Sequence, residues 1–212
     1  RIRWVKQGTG QLLEMLSRTD RNGETFGFDV FFGGGVPDLQ LAAQRGYLEK
    51  PNLPQETLDA IPAEIAGVAN VDPQGLWYGS ALSSFGILIN TRGLQNQGLP
   101  PITTWKDLSD PRMNSWVILA DPRNSSSVRV SYELLLQQYG WEEGWPLLMQ
   151  IAANARQFAS SSSQIPNDVA IGNVLAGPCI DFYAWGRMAQ TETGTLSFIL
   201  PVGGSAITPP LP

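Results

Sequence analysis

FASSSSQIPNDVAIGNVLAGPCIDFYAW, residues Phe158–Trp185, is the stretch from which the rest of the chain can be read. Four consecutive serines, Ser160 to Ser163, are too polar for a core, and with Gln164 they make a loop rich in hydroxyl and amide groups. Pro166-Asn167-Asp168 ahead of an apolar run reads as a helix start. The unpaired N–H groups of such a start, backed by the positive end of the helix dipole, attract an anion or an electron-rich oxygen. Val169, Ala170, Val174 and Leu175 fall on one helical face, and Gly177-Pro178 is expected to stop the helix. A short apolar strand then carries Asp181 and Tyr183 to its end. An ordinary capped helix behind a surface loop is the alternative reading.

The same order of strand, polar loop and helix recurs upstream. Trp116-Val117-Ile118-Leu119-Ala120 reads as a buried strand, Asp121 to Ser127 as a second hydroxyl-rich loop, and Val128 to Tyr139 as a helix. A further helix is expected up to Asn154. Its adjacent Glu142 and Glu143 diverge on a helix surface and read as solvated first-turn residues, not an acid–base pair. Nearer the amino end, Ile2 to Val5 and Phe28 to Phe32 read as strands around a helix from Gln11 to Arg18, a βαβ unit. Gly33-Gly34-Gly35 follows the second strand and opens a helix at Pro37. Glycine there lets the backbone approach a ligand closely, and a turn requiring positive φ is the plain alternative. The triplet matches neither the GxGxxG fingerprint nor a phosphate-binding P-loop. Leu76 to Gly79 and Ser84 to Asn90 read as strands, the latter crossing into a second domain. Leu196 to Pro201 is expected to be a strand heading back to the first.

Composition narrows the chemistry. The 212 residues are 42% hydrophobic and 16% charged, long enough for one large or two small cores. A net charge of -5 without a basic patch lacks the footprint for holding a phosphate backbone, so no nucleic-acid partner is expected, and no apolar run approaches a membrane span. There is no histidine, which removes the usual nucleophile-activating base and the commonest zinc ligand together. The single cysteine, Cys179, lies in an apolar context as a small buried thiol and has no internal disulfide partner. The chain starts inside an apparent strand and stops in Pro209-Pro210-Leu211-Pro212, which reads as a chain trimmed at both ends.

DVFFGGG at Asp29–Gly35, FGILINT at Phe85–Thr91, LPPITTWKDLSDPR at Leu99–Arg112, ADPRNSSS at Ala120–Ser127, and the long segment Gly140–Asn173 together resemble the extracellular solute-binding proteins of ABC importers. The similarity is greatest to the branch of ferric-iron-binding and sugar-phosphate-binding periplasmic proteins. It implies an α/β, type II periplasmic-binding-protein fold of two lobes, each a central sheet flanked by helices, joined by a two-strand hinge. Lobe 1 is expected at residues 1–84, with 203–212 returning to it, and lobe 2 at 85–202. It also implies capture of a small-molecule solute, delivery to a membrane permease, a monomeric state, a periplasmic or extracytoplasmic location, and neither enzymatic activity nor a cofactor.

Departures from the family pattern bear on the solute. Ferric-binding relatives carry an amino-terminal histidine, an acidic residue after the DVFF-type strand and two adjacent tyrosines; here the counterparts are no histidine, Gly33-Gly34-Gly35 and Phe182-Tyr183. A hard trivalent ion wants anionic oxygens, and only Asp181 and Tyr183 are offered, so no metal site is expected. A small organic anion, phosphorylated or a carboxylate, fits better. Its expected contacts are Gly34, Gly35, Ser125, Ser126, Ser127, Ser162 and Ser163 for anionic oxygens, Asp181 for hydroxyls or an amine, and Trp77, Tyr78 and Tyr183 as walls. Core packing is the competing reading of each aromatic. Ferric-iron binding, a sensor domain and an enzyme on the same fold are the alternatives.

Overall fold

The computed structural model describes residues 2–65, 67–201 and 207–208. The chain forms two compact units, one running to Ser83 and including Thr208, the other Ser84–Ile207. The expected return of residues 203–212 lies outside the described residues apart from the short strand Ile207–Thr208.

In the first unit, helix α1 spans Thr9–Arg21 and buries Leu13 and Leu16. Helix α2, Val36–Gln44, starts at the glycine triplet and buries Leu39 and Ala42; α3 is the short helix Gln55–Asp59. Strands β1 (Glu64–Ile65) and β2 (Val68–Ala69) pair antiparallel, and Val71 bridges Tyr78 just beyond them. The strands expected at Ile2–Val5, Phe28–Phe32 and Leu76–Gly79 do not form. A parallel strand buried on both faces needs ladder partners and cover. Among the described residues neither amino-terminal segment has a ladder partner, and Phe28, Val30 and Phe32 are exposed. At Leu76–Gly79 only the single bridge at Tyr78 remains.

The second unit is built on a sheet in the order β5-β4-β6-β3-β7. Its strands are β3 (Ser83–Asn90), β4 (Val117–Ala120), β5 (Ala155–Ala159), β6 (Ala176–Ile180) and β7 (Leu196–Ile199), and β8 (Ile207–Thr208) also pairs β3. Strand β4 is parallel to both β5 and β6, while β3 runs antiparallel to β6 and β7. Leu196–Ile199 therefore belongs to this sheet.

Alternation along the strands sends successive side chains to opposite faces. Ile87, Ile89, Val117 and Leu119 enter one cluster with Trp105, Leu108, Met113, Leu135, Leu147 and Ile151; Leu88, Ile118 and Ala120 enter the other with Val128, Ile165, Val169, Cys179 and Ala184. Helices cover both faces, which is why the apolar runs of β3 and β4 are nearly unbroken. The covering elements are α4 (Thr91–Asn96), α5 (Ser126–Ala153), α6 (Ile165–Ala170) and α7 (Asp181–Met188). Gly140, at φ 74 and ψ 170, breaks α5 into two segments, as the two expected helices require.

Polar side chains close the exposed ends of these elements. Asn90 Oδ1 accepts from Gly93 N at 2.7 Å to cap α4, while its Nδ2 donates to Val169 O at 2.8 Å. In the TTWKD segment Asp107 Oδ2 accepts from both Thr103 N and Thr104 N at 2.7 Å and fixes a 3₁₀ turn over Trp105–Ser109. The helix expected through Val169–Leu175 ends instead at Ala170, and Gly177-Pro178 lies inside β6. Proline is tolerated because pairing of β6 with β4 is confined to Ala176, two residues earlier, so the missing N–H breaks no bond on that side.

Gly177 permits the close approach of β6 to β4. A Cβ there would lie 2.7 Å from both Ile118 Cγ2 and Ile118 O. Gly177→Ala is expected to destabilise by about 1–3 kcal/mol through overpacking. Gly186→Ala, in α7 with nothing within 4 Å of the added carbon, is expected to stabilise by about 0.5–1 kcal/mol through helix propensity. Urea unfolding midpoints of the two variants should move in opposite directions.

Candidate functional site

Three parallel strands deliver their carboxyl ends to one edge of the sheet in the second unit. Ala120 and Ala159 are partners in the β4–β5 ladder, and Val117 partners Ala176 in β4–β6, so the segments after β4, β5 and β6 emerge side by side. In open α/β sheets this is the edge at which ligands bind. The sequence places its two serine loops and Asp181 there.

The loop after β4 is shaped by Asp121. Its Oδ1 accepts from Arg123 N at 2.9 Å, its carbonyl accepts from Ser125 N at 3.0 Å, and Arg123 Nη2 closes on Oδ2 at 2.6 Å. The Arg123 guanidinium holds the Asp121 carboxyl below the usual carboxylate range. With its charge matched in this way, Arg123 is not a free cation at the site. The loop then enters α5 at Ser126, with Ser125 as the N-terminal flanking residue. The first-turn N–H groups of a helix have no acceptor within it, and the Ser125 side chain does not cap them. Ser125 Oγ sits 3.3 Å from Ser127 Oγ instead.

The second serine loop meets the first directly. Ser127 Oγ and Ser162 Oγ are 2.7 Å apart, 35 residues distant in sequence. Ser161 Oγ accepts from Ser163 N at 3.3 Å and lies 2.9 Å from Ser163 Oγ, which shapes the turn leading into α6. Ser125, Ser126 and Ser162 are buried, and Ser127 and Ser163 are half-buried. The result is a linked set of hydroxyls from two loops, set against the start of a long helix.

Asp181 is the first residue of α7, not the tip of a strand, and it is 6% exposed. Its Oδ2 accepts from Ser84 N at 2.8 Å and from Ser84 Oγ at 3.0 Å, and its Oδ1 accepts from Phe182 N at 2.7 Å. Ser84 was missed in the sequence; the available signal was its place at the head of the strand that pairs with β6. Tyr183 is half-buried against the core, its ring tilted by 56° against that of Phe182 with centroids 4.4 Å apart, and burial raises its phenol pKa. An acid already bonded to three donors and a neutral phenol make a poor pair for a trivalent ion. Among the described residues no group of three or more acidic, cysteine or histidine side chains stands ready for a metal.

The remaining expected residues lie in the first unit. Gly33 and Gly34 adopt positive φ, 114° and 88°, so the triplet meets a conformational requirement. Gly35 N donates to Asp38 Oδ2 at 3.3 Å, which closes the start of α2 and commits that amide. Trp77 is buried, and Tyr78 bridges Val71.

A family model described as bacterial extracellular solute-binding protein matches residues 25–211. The chain belongs to this family. The chain is 33% identical over 184 residues to the phosphoglycerate transport regulatory protein PgtC of Salmonella typhimurium, covering 86% of this chain and 46% of that one. It thus spans about half the length of that relative. The fold is also that of the periplasmic binding protein AfuA from Actinobacillus pleuropneumoniae, solved with fructose-6-phosphate bound: TM-score 0.84, 20% identity, 99% of this chain and 64% of that chain. Iron-bound HitA from Pseudomonas aeruginosa gives a TM-score of 0.70 at 20% identity, over 98% of this chain and 65% of that one. These are type II periplasmic binding proteins, so the α/β fold class expected from sequence stands, and the family is one of binding proteins, not enzymes.

Two tests follow from the site. Asp181→Asn turns one acceptor oxygen into a donor facing other donors, and should cost about 1–3 kcal/mol, against about 0.5–1.5 kcal/mol for Ser84→Ala, in urea unfolding. Burial pushes the Cys179 thiol up to about 12, so at pH 8 it should resist dithiobisnitrobenzoate until the protein is unfolded.

Proposed function

We propose that the protein is the solute-capturing component of an ABC importer outside the cytoplasm, and that its solute is a small phosphorylated organic anion. The observation that carries this reading is the 2.7 Å contact between Ser127 Oγ and Ser162 Oγ, which joins two hydroxyl-rich loops at the start of α5. Hydroxyls and first-turn amides together are donors for phosphate oxygens without a counter-charge. Arg123, already paired with Asp121, is not needed for this. The 33% identical relative is named for phosphoglycerate transport, which agrees in chemical class. The likenesses to AfuA and HitA concern the fold alone and do not choose between sugar phosphate and iron; the side chains favour the anion.

A solute that binds one conformation of the protein better than another shifts the population toward it, which completes the proposal. The captured solute is then handed to a membrane permease by a monomeric binding protein. A sensing role uses the same capture step, and the word regulatory in the name of PgtC favours testing it.

A thermal-shift screen of the full-length protein decides the class. Phosphorylated three-carbon and six-carbon acids and sugars are expected to raise the melting temperature, with about 2.7 kcal/mol of stabilisation at a hundredfold excess over the dissociation constant. Ser127→Ala and Ser162→Ala should each weaken that binding about tenfold. A shift with ferric iron and none with any phosphorylated compound sinks the reading.

A further inference from the structure

Three large apolar side chains of the second unit stand in water on one line. Trp141, Trp145 and Met149, in the segment of α5 after Gly140, are 71%, 38% and 63% exposed. Their spacing of i, i+4 and i+8 puts them on one helical face. Trp141 and Trp145 meet edge to face, with ring centroids 5.3 Å apart and planes at 81°, so the two indoles form a single ridge. The segment already has an inward face, because Leu147, Leu148 and Ile151 enter the core cluster. The ridge is therefore surplus to the packing of the sheet, and Pro146 and Ala153 extend it as exposed neighbours.

Charge decides what kind of surface covers such a ridge. Glu142 and Glu143 are exposed at its amino end. Among the described residues neither carboxylate has an ion-pair or hydrogen-bond partner, whereas Glu14, Asp110, Asp121 and Glu192 each hold an arginine. Pro146 also brings no N–H to the Glu142 carbonyl four residues earlier. A helix start favours glutamate, which accounts for the acids but not for two tryptophans beside them. Uncompensated carboxylates disfavour an anionic lipid surface. A two-fold contact between copies sets the same patch against itself and brings four carboxylates into one interface. A protein segment that is apolar and basic meets both features: Trp and Met are the residue types enriched in interface cores, and opposite charges across the contact fix register and partner.

We infer that the ridge of Trp141, Trp145 and Met149 is a docking surface for another protein, whose contacting segment is apolar and carries lysine or arginine. The inference does not depend on which solute the serine loops hold.

Met149→p-benzoylphenylalanine in the full-length protein, irradiated in the cells that produce it, tests the inference. One protein adduct is expected, its cross-linked peptide apolar and carrying lysine or arginine within about one helical turn of the bond. Adding Glu142→Lys and Glu143→Lys should reduce the adduct at least about tenfold. Glu49→Lys with Glu56→Lys, the same change of charge on exposed residues of the first unit, should leave it unchanged. Trp141→Ala should reduce it about tenfold as well. Circular dichroism of each purified variant separates loss of docking from loss of helix; where the lysine variant loses helix, Glu142→Gln with Glu143→Gln takes its place, with a reduction of about threefold or more expected. An adduct with a second copy, with phospholipid or within the same chain overturns the inference. So does the absence of any adduct, or one that survives either removal of the acidic charges or Trp141→Ala.

Discussion

Between Phe85 and Ile89 and again between Val117 and Ala120, neither β3 nor β4 has a polar face to give to water, and this requirement for cover on both sides governs the second unit. Each of Ile87, Leu88, Ile118 and Leu119 is essentially inaccessible, and burying such a side chain contributes about 1.5–3 kcal/mol. The chain meets the requirement by sending α5 to one face and α6 and α7 to the other, with the first turns of α5 reaching the second cluster through Val128. Asn90, Asp107 and Asn154 then settle the backbone groups that such packing would otherwise strand: Asn154 Nδ2 alone donates to Leu108 O and Asp110 O, at 2.9 and 2.8 Å.

The position of the polar site is a by-product of that cover. Parallel strands whose helices return over the sheet must emit all their outgoing loops from one edge, so β4, β5 and β6 place the Asp121–Ser127 loop, the Ser160–Gln164 loop and Asp181 in a row. These segments lie at the edge of the sheet and not on its faces, so even their buried members, Ser125, Ser126, Ser162 and Asp181, can be polar. Serine is a suitable occupant: it satisfies its neighbours' polar atoms, as Ser127 and Ser162 do, and keeps a second valence for something else.

How much of this was legible in the sequence follows from how local each signal is. FGILIN and WVILA read correctly as strands because continuous burial leaves an unbroken apolar run, and the serine loops read correctly because hydroxyl clusters have few other uses. The break near Gly140 was visible as two helical patterns. Phe28–Phe32 was misread because an apolar run of five shows what a strand could bury but not whether another strand stands beside it. Gly177-Pro178 was misread because a proline's fit depends on where its neighbour's ladder ends, and that register is invisible in one chain segment. The Asp181–Ser84 bonds join residues 97 apart, a separation that no local pattern reveals. Side chains of ordinary type acquired meaning there from pairing alone.

Gly140 has a consequence of scale. Unbroken, the 28 residues of α5 would extend about 42 Å, whereas the strands beneath, of four to eight residues, run only about 13–27 Å. A straight rod of that length would overhang the sheet and leave one end with nothing apolar to cover. With φ at 74°, a value side chains resist, the backbone breaks the rod, and Leu135 before the break and Leu147, Leu148 and Ile151 after it reach the same cluster. A single residue without a side chain thus matches the longest helical segment of the chain to the footprint of its sheet.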